Sequence, residues 1–553
     1  MLYKIRNTKL KNNNELKFNT TKGVIIGLSL FSFNAYANDA FPSFPGFPTS
    51  NPEDMTYIEE FGKRLFFTEI SINRNQSCAS CHTSDTGGTG GDSEVNLGQV
   101  AVTGSDGFSV GTLKPPTNKY VQFLDYKDGK IRGLENFDNE GRCFFQIPNG
   151  PRIILPCGGA FWNGRATGFE LEKHVDVFEG IDHKYHSMYS KYLGPMTDQA
   201  HASPFINPVE QALPNMYEVC KQVKKSLWGP QLYQYSWGKK LRCSSDKDVK
   251  QAFGRFAVSL AAWQMSKDNN PFHTKRDHAL AKEIKKAEEN NEPISLAFED
   301  FSPQENFGRF MFYTKAACNA CHVSDGDTFG VTPGQRYTND RYFNIGVPRN
   351  HEIPENPEPN EGVFAMTGNF NHMGQHKVPT VRNVDKRPYE GFAKAYTHNG
   401  WFKTLEQLVH FYNSSNVDYD HEACDNAVDD DAKMAISTAC FFGKTRCTGS
   451  DVSVEEAMDQ NCWPEPEFDH NIATFAVGDL KLTELEELAV VAYLKTLTDL
   501  SDVKAPSQYM AEMYNEGRLV NKYGEEQQHE EPSHSVEQPV DPRHSRPSFS
   551  RRR

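Results

Sequence analysis

Cys78–His82 reads CASCH and Cys318–His322 reads CNACH, and these two segments decide how the chain is organised. Each has the C-x-x-C-H pattern that attaches haem c: the two thiols bond to the porphyrin and the histidine ligates the iron. A C-x-x-C pair can also be a redox dithiol or half of a zinc site. Zinc ribbons bring their two pairs close in sequence, and neither segment has the βαβ context of a redox dithiol. We therefore predict two covalently attached haem c groups on Cys78, Cys81, Cys318 and Cys321, with His82 and His322 as iron ligands.

The N-terminal residues have the layout of a secretory signal. Lys17 and Lys22 precede the apolar run 23–33, and Ala35-Tyr36-Ala37 supplies a small-x-small cleavage site. The run is too short to cross a bilayer, which takes about 20 residues, and no other segment has the composition of a membrane span. We predict a signal peptide over residues 1–37, cleavage after Ala37 and a periplasmic protein.

Charge and cysteine content fit this location. The chain has 553 residues, enough for several domains, and its net charge of −14 argues against a nucleic-acid partner. Of the 12 cysteines, four lie in the haem segments, and the even remainder predicts up to four disulfides in an oxidising compartment. Free buried thiols are the alternative. Nearest-neighbour pairing gives Cys143–Cys157 and Cys220–Cys243, with two more bonds among Cys424, Cys440, Cys447 and Cys462.

The chain repeats one arrangement of helices. An aromatic segment with a central glycine precedes each haem motif, at residues 60–67 and 305–313, and predicts a short helix that another helix can approach closely. Helical patterns at 249–265 and after the capping box at Thr483 supply the crossing partners. We predict a mainly α fold: two cytochrome c-like haem domains with long loops, over residues 38–270 and 271–505. Residues 414–470 read as an irregular insert and 524–553 as a disordered tail.

Four further blocks resemble the bacterial dihaem cytochrome c peroxidase and MauG family. The resemblance covers roughly residues 55–500. The blocks are 161–166, 198–200 with 207–210, 378–383, and 396–400 running into 404–406. The family implies an oxidoreductase that uses hydrogen peroxide, with an N-terminal peroxidatic haem and a C-terminal electron-transfer haem.

The resemblance implies that Glu210 and Gln199 are catalytic. Heterolytic cleavage of peroxide needs a group that moves a proton from the inner to the outer oxygen. In the family the glutamate of Asn-Pro-x-Glu does this, with an upstream glutamine as hydrogen-bonding partner. The usual methionine after the glutamate is Gln211 here, and the spacing between the two residues is one residue longer. A solvated loop carboxylate is the alternative for Glu210.

Two further roles follow from the same resemblance. Trp162 lies in the block that places an indole between the haems as an electron relay, although a buried tryptophan is more often ordinary core. Tyr412 lies where switchable peroxidases carry a methionine ligand to the C-terminal haem and the MauG branch carries a tyrosine. An ordinary core tyrosine is the alternative there. The loop 107–120 contains no histidine to block the N-terminal haem, which predicts an open iron face.

Calcium is a further cofactor that the resemblance raises, because the family often holds this ion between its haems. The sequence departs from the family in both segments concerned. The usual asparagine after Pro-Thr is displaced in Pro116–Tyr120, and the family's Thr-x-Pro is replaced by Ala393–Ala395. The sequence therefore leaves calcium open.

These observations predict a periplasmic dihaem peroxidase. Its partners would be hydrogen peroxide and a small electron-donor protein, either a cytochrome or a cupredoxin. One alternative is a MauG-like enzyme that uses peroxide to oxidise a partner protein. The other is a dihaem electron-transfer protein without catalysis.

Overall fold

Each Cys-x-x-Cys-His segment follows a short helix that is crossed by a helix from later in the chain. The computed structural model describes residues 55–121, 144–146, 152–154, 156–168, 177–202, 204–323, 329–417 and 419–500. These residues belong to one compact unit, Phe47–Arg553. For convenience we call the described residues up to 270 the N-terminal half and those from 271 onwards the C-terminal half. The predicted signal peptide, Cys143 and the predicted tail lie outside the described residues.

The described residues are mainly helical, as predicted. The helices are α1 Tyr57–Phe67, α2 Ser93–Leu97, α3 His183–Tyr189, α4 Pro195–His201, α5 Met216–Lys225, α6 Gly229–Trp237, α7 Asp246–Gln264, α8 Lys275–Asn290, α9 Pro303–Tyr313, α10 Phe364–Thr367, α11 Leu405–Ser414, α12 His421–Asp425, α13 Asp430–Ile436, α14 Thr438–Phe442, α15 Val454–Asp459 and α16 Glu484–Lys495. Short 3-10 turns occupy Cys78–Ser80, Ser84–Thr86, Ser190–Tyr192, Cys318–Ala320 and Phe370–His372. Among the described residues, none of these helices is long and apolar enough to cross a membrane.

Strands play a small part in the fold. Within the described residues they form three two-stranded ribbons: β1 Phe144–Gln146 with β2 Arg152–Ile154, β3 Tyr342–Phe343 with β4 His376–Lys377, and β5 Thr445–Arg446 with β6 Cys462–Trp463. The first two are antiparallel, with Phe145 opposite Ile153 and Phe343 opposite His376, and the third is parallel.

The same helix crossing occurs in both halves, and a glycine allows it each time. α1 packs on α7 and α9 packs on α16. A methyl group at Gly62 would overlap the backbone oxygen of Ser259, and one at Gly308 would overlap that of Ala489. Both first helices begin at a capping box, Thr56 with Glu59 and Ser302 with Glu305. The predicted helix pairs are thus confirmed.

Aromatic side chains fill both crossings. In the N-terminal half the ring of Phe61 lies 5.7 Å from that of Phe256, and Phe66 lies 4.5 Å from Trp263. In the C-terminal half Phe312 lies 5.3 Å from Tyr493. These buried rings set the position of the haem segment at the end of each first helix.

The segment 414–470 is more ordered than its sequence predicts. It holds the four short helices α12 to α15, which begin at the capping residues Asp420, Asp429, Ser437 and Ser453. Each cap satisfies backbone N–H groups that such a short helix leaves unpaired. The disulfides Cys424–Cys440 and Cys447–Cys462 cross-link it. The predicted bond Cys220–Cys243 is confirmed, and Cys157 is also disulfide-bonded.

Candidate functional site

The first haem segment presents its three predicted ligating groups together. Cys78 and Cys81 are free thiols on a 3-10 turn, and His82 follows them. The Nδ1 of His82 lies 3.0 Å from the backbone oxygen of Gly88, an acceptor, so Nδ1 carries the proton and Nε2 keeps its lone pair. Burial lowers the pKa of His82 and favours this neutral form. A neutral imidazole with its second nitrogen fixed in this way suits a metal ligand.

The second haem segment repeats this arrangement. Cys318 and Cys321 are free thiols on a 3-10 turn, and the Nδ1 of His322 lies 3.0 Å from the backbone oxygen of Pro379. Burial lowers the pKa of His322 to about 4. Both donor sets therefore fit a c-type haem, which needs two thiols and one neutral histidine.

Glu210 lies beside the first haem segment. Burial raises the pKa values of both thiols, Cys78 and Cys81, and the nearby carboxylate of Glu210 raises them further. Asn207 donates a hydrogen bond of 3.0 Å to Glu210 Oε1. Burial raises the pKa of Glu210, while Asn207 and Arg165 oppose the shift. The site thus holds a desolvated carboxyl group that can take up and return a proton.

The two glutamines near this carboxylate have different surroundings. Gln199 lies on α4 and lines a small cavity together with Trp162 and Phe161. Among the described residues, the side-chain hydrogen bond to Glu210 comes from Asn207 and not from Gln199. Gln211, which stands where the family carries methionine, places its Nε2 3.6 Å from the Sγ of Cys78. Sequence reasoning marked Gln211 as a departure and missed this contact.

Tyr412 and His322 line the same cavity. Tyr412 lies on α11, which begins at the predicted capping box of Thr404 and Gln407. The cavity walls are mostly apolar; those from α11 and α16 are Leu405, Leu408, Val409, Val490 and Leu494. Burial raises the pKa of Tyr412, and the thiols Cys321 and Cys318 add to the shift. The phenol is therefore close to the second haem segment.

Trp162 connects the two cavities because it lines both of them. Its side chain is buried, and its Nε1–H donates a hydrogen bond of 2.7 Å to the backbone oxygen of Lys114. Its ring lies 6.4 Å from that of His398, which also lines the larger cavity. The indole is thus fixed between the elements that surround the two predicted haem sites.

Part of the chain is similar in sequence to a known protein family. Residues 57–284 match the sequence profile of the di-haem cytochrome c peroxidases. This segment belongs to the di-haem cytochrome c peroxidase family. The match confirms the predicted family and an oxidoreductase with two haem groups.

Named relatives extend beyond the matched segment. The methylamine utilization protein MauG of Paracoccus denitrificans is 26% identical over 451 residues, which cover 80% of this chain and 88% of that protein. The cytochrome-c peroxidase IdrP1 of Denitromonas iodatirespirans is 26% identical over 136 residues, which cover 20% of this chain and 32% of that protein.

Solved structures share the fold. The diheme peroxidase BthA of Burkholderia thailandensis has a TM-score of 0.50 at 20% identity and covers 82% of this chain and 87% of its own. A tyrosine-to-methionine variant of BthA has a TM-score of 0.51 at 19% identity and covers 85% and 90% of the two chains. The predicted fold class, mainly α with cytochrome c-like domains, is thereby confirmed.

The larger cavity is also lined by a stacked pair of buried histidines. The rings of His376 and His398 lie 3.5 Å apart and are nearly parallel, and both line the larger cavity. His398 Nε2 lies 2.7 Å from Glu467 Oε2. Burial and the neighbouring His398 hold the pKa of His376 well below its usual range. The stack adds two imidazole rings to a cavity lining that is otherwise mostly apolar.

An ion pair in which Arg382, a lining residue of the larger cavity, takes part fixes the 378–383 block. Arg382 donates two hydrogen bonds of 2.8 Å to the two carboxylate oxygens of Asp277, which lies in α8. Although burial alone would raise it, the Arg382 guanidinium lowers the pKa of Asp277 to about 2. Arg382 therefore holds α8 against the block that carries Pro379, the hydrogen-bond partner of His322.

In the described part of the chain, no group of three or more histidine, cysteine, aspartate or glutamate residues is placed to hold a metal ion.

Proposed function

We propose that this chain is a periplasmic dihaem peroxidase that reduces hydrogen peroxide at its N-terminal haem and receives electrons through its C-terminal haem. Cys78 and Cys81 would attach the first haem, with His82 as iron ligand. Cys318, Cys321 and His322 would do the same for the second. When bound, the haems supply the redox chemistry, in which peroxide takes up two electrons and two protons and gives two waters.

The position of Glu210 carries this proposal. Its half-buried carboxyl group lies beside the first haem segment, and its raised pKa suits a group that removes a proton from one peroxide oxygen and delivers it to the other. The hydrogen bond from Asn207 fixes the orientation of this carboxylate. Gln199, from α4, would bind peroxide from the side of Trp162.

Trp162 and Tyr412 would serve electron flow between the two sites. Trp162 borders both cavities and is held rigidly by its bond to Lys114, as a relay between fixed sites requires. Tyr412 would be a further protein ligand of the C-terminal haem iron, since it lines the same cavity as His322. An anionic phenolate oxygen stabilises ferric and higher iron states.

Replacing the carboxylate tests the catalytic role. Glu210→Gln in the haem-loaded protein should lower peroxide consumption by about 10²- to 10⁴-fold, because general acid–base catalysis is lost. The matched control is Glu69→Gln, which removes the charge of an exposed carboxylate and should leave the rate unchanged. If Glu210→Gln keeps the full rate while both haems are bound, Glu210 does not move the proton.

Covalent attachment needs a separate measurement. The double variant Cys78→Ser with Cys81→Ser should retain one covalently bound haem per chain after denaturation. The double variant Cys318→Ser with Cys321→Ser should also retain one. Two haems surviving denaturation in either variant would contradict the assignment.

A MauG-like activity is the second candidate. It is favoured by Tyr412 in the larger cavity and by the histidine-free loop 107–120, which together predict peroxide reactivity without prior reduction. Mass spectrometry of a co-expressed partner protein after peroxide treatment would detect oxidised side chains. Rapid oxidation of a reduced small cytochrome or cupredoxin, with no modified partner, would instead favour the peroxidase.

Export is proposed from residues 1–37. N-terminal sequencing of protein recovered from the periplasm should begin at Asn38. Protein that retains Met1 and stays in the cytoplasm would contradict both cleavage and location.

A further inference from the structure

Lys394 is a buried lysine whose Nζ donates to three main-chain oxygens. Its side chain is 4% exposed. The Nζ lies 2.7 Å from the backbone oxygen of Asn383, 2.9 Å from that of Thr86 and 3.1 Å from that of Lys386. Three carbonyl oxygens thus surround one nitrogen at hydrogen-bonding distance.

This geometry requires the charged form of Lys394. Three carbonyl acceptors need three N–H donors, which an ammonium group has and a neutral amine does not. Burial, and after it the nearby Lys114, holds the pKa of Lys394 well below its usual value, so the charged form depends on the surrounding hydrogen bonds. The three carbonyl dipoles stabilise the charge at the nitrogen, and the hydrogen-bond count therefore identifies the group as a buried cation.

The ammonium joins the two halves of the protein. Thr86 lies in the turn that follows His82, whereas Asn383 and Lys386 belong to the C-terminal half. The adjacent Gly88 oxygen binds the Nδ1 of His82. Lys394 therefore ties the loop that orients the first iron ligand to the other half.

A calcium ion does not fit these surroundings. Calcium takes six to eight oxygen ligands and usually includes carboxylates among them. The charged groups that act on Lys394 are Lys114, Lys386 and Arg387, all cationic, and one acid, Asp385. A divalent ion would add to this positive charge, while three carbonyl oxygens are too few to hold it.

We propose that the Lys394 ammonium takes the place of an inter-haem calcium ion, so that a cation built into the chain links the two halves. Ala393–Ala395, where the sequence departs from the family's Thr-x-Pro, is the segment that supplies this cation. The inference concerns the linkage of the halves and does not depend on how peroxide is cleaved.

Metal analysis of the wild-type holoprotein tests the first consequence. After dialysis against EGTA and then buffer with calcium, the protein should carry much less than one calcium ion per chain. Its Tm and its haem absorption spectrum should be unchanged by either treatment. Stoichiometric calcium, or a Tm that falls on chelation, would overturn the proposal. The buried Asn118, whose side-chain amide forms no hydrogen bond within the described residues, is where such an ion would be sought.

Chemical rescue tests the second consequence. Lys394→Ala removes a propylammonium unit, so the variant should have a lower Tm that propylammonium raises and tetramethylammonium, which has no N–H donor, does not. Lys444→Ala is the matched control, because Lys444 is equally buried but lies over the ring of Trp463 at 4.7 Å. A wild-type Tm for Lys394→Ala would contradict the proposal, as would equal rescue of both variants. If Lys394→Ala does not fold, the metal content of the wild type still decides.

Discussion

The indole of Trp162 is hydrogen-bonded to the backbone oxygen of Lys114, whose own N–H donates to the backbone oxygen of His398 at 2.8 Å. Lys114 belongs to the histidine-free loop 107–120. The loop is therefore held between the predicted relay and the C-terminal half. Because this fixed loop contains no histidine that could ligate the iron, the proposed function expects the first haem to be open to peroxide.

Trp162→Phe should slow electron exchange between the two haem sites. Phenylalanine keeps the packing but loses both the hydrogen bond to Lys114 and the easily oxidised ring. Stopped-flow spectra after adding one equivalent of peroxide should show a normal first phase and a slower re-equilibration between the haems. His398 keeps its contact with Glu467 in this variant. An unchanged second phase would exclude Trp162 as the relay.

Tyr412→Phe should change only the C-terminal haem. Loss of the phenol removes the proposed axial ligand, so the ferric low-spin signal of that haem in electron paramagnetic resonance should shift, while the signal of the first haem stays. The control is Tyr419→Phe, a tyrosine of the segment that follows α11 and does not line the cavity. Identical spectra for Tyr412→Phe and wild type would identify Tyr412 as a core residue.

Alanine at the helix crossings should destabilise the fold. Gly308→Ala and Gly62→Ala each insert a methyl group against a backbone carbonyl of the crossing helix, which costs about 1–3 kcal/mol in overpacked cores. Gly98→Ala is the control, because its new methyl group would meet only the Glu94 oxygen at 3.9 Å. Thermal unfolding of the three variants measures the difference. A Gly308→Ala protein as stable as Gly98→Ala would show that the α9–α16 crossing is looser than described.

Asp277→Asn should destabilise the protein in a pH-dependent way. Arg382 lowers the folded-state pKa of Asp277 to about 2, so its stabilising effect is complete above the unfolded pKa of about 3.9 and disappears as the pH falls towards 2. Breaking a buried pair costs about 3–5 kcal/mol at neutral pH. The Tm gap between variant and wild type should therefore close between about pH 4 and pH 2.

A helix-position control separates the ion pair from helix capping. Asp248→Asn changes the corresponding first-turn aspartate of α7, which is half-buried and accepts a hydrogen bond from the Ser244 hydroxyl. It should cost far less than Asp277→Asn at neutral pH. Equal losses in the two variants would show that capping, and not Arg382, accounts for the effect.

Local sequence patterns were sufficient for the elements that they encode directly. The haem segments, the capping boxes at Thr404 and Thr483, and the glycine-centred helices depend on neighbouring residues, so spacing alone predicts them. The bond Cys220–Cys243 joins residues 23 apart, a short loop that nearest-neighbour pairing finds.

Contacts between distant segments could not be predicted in this way. Arg382 meets Asp277 across 105 residues, and Lys394 meets Thr86 across 308. No periodicity or motif marks such pairs, because they arise only when both halves are packed. The order of the 414–470 segment was missed for a related reason: its polar capping residues resemble those of loops until the disulfides bring the short helices together.

Stopped-flow absorbance of the fully ferric holoprotein mixed with one equivalent of hydrogen peroxide tests the central claim most directly. The histidine-free loop and Glu210 predict a fast spectral change at the first haem with no reductant present. A protein that stays silent until the C-terminal haem has been reduced would contradict the open first site, and silence in both redox states would contradict peroxide reduction altogether.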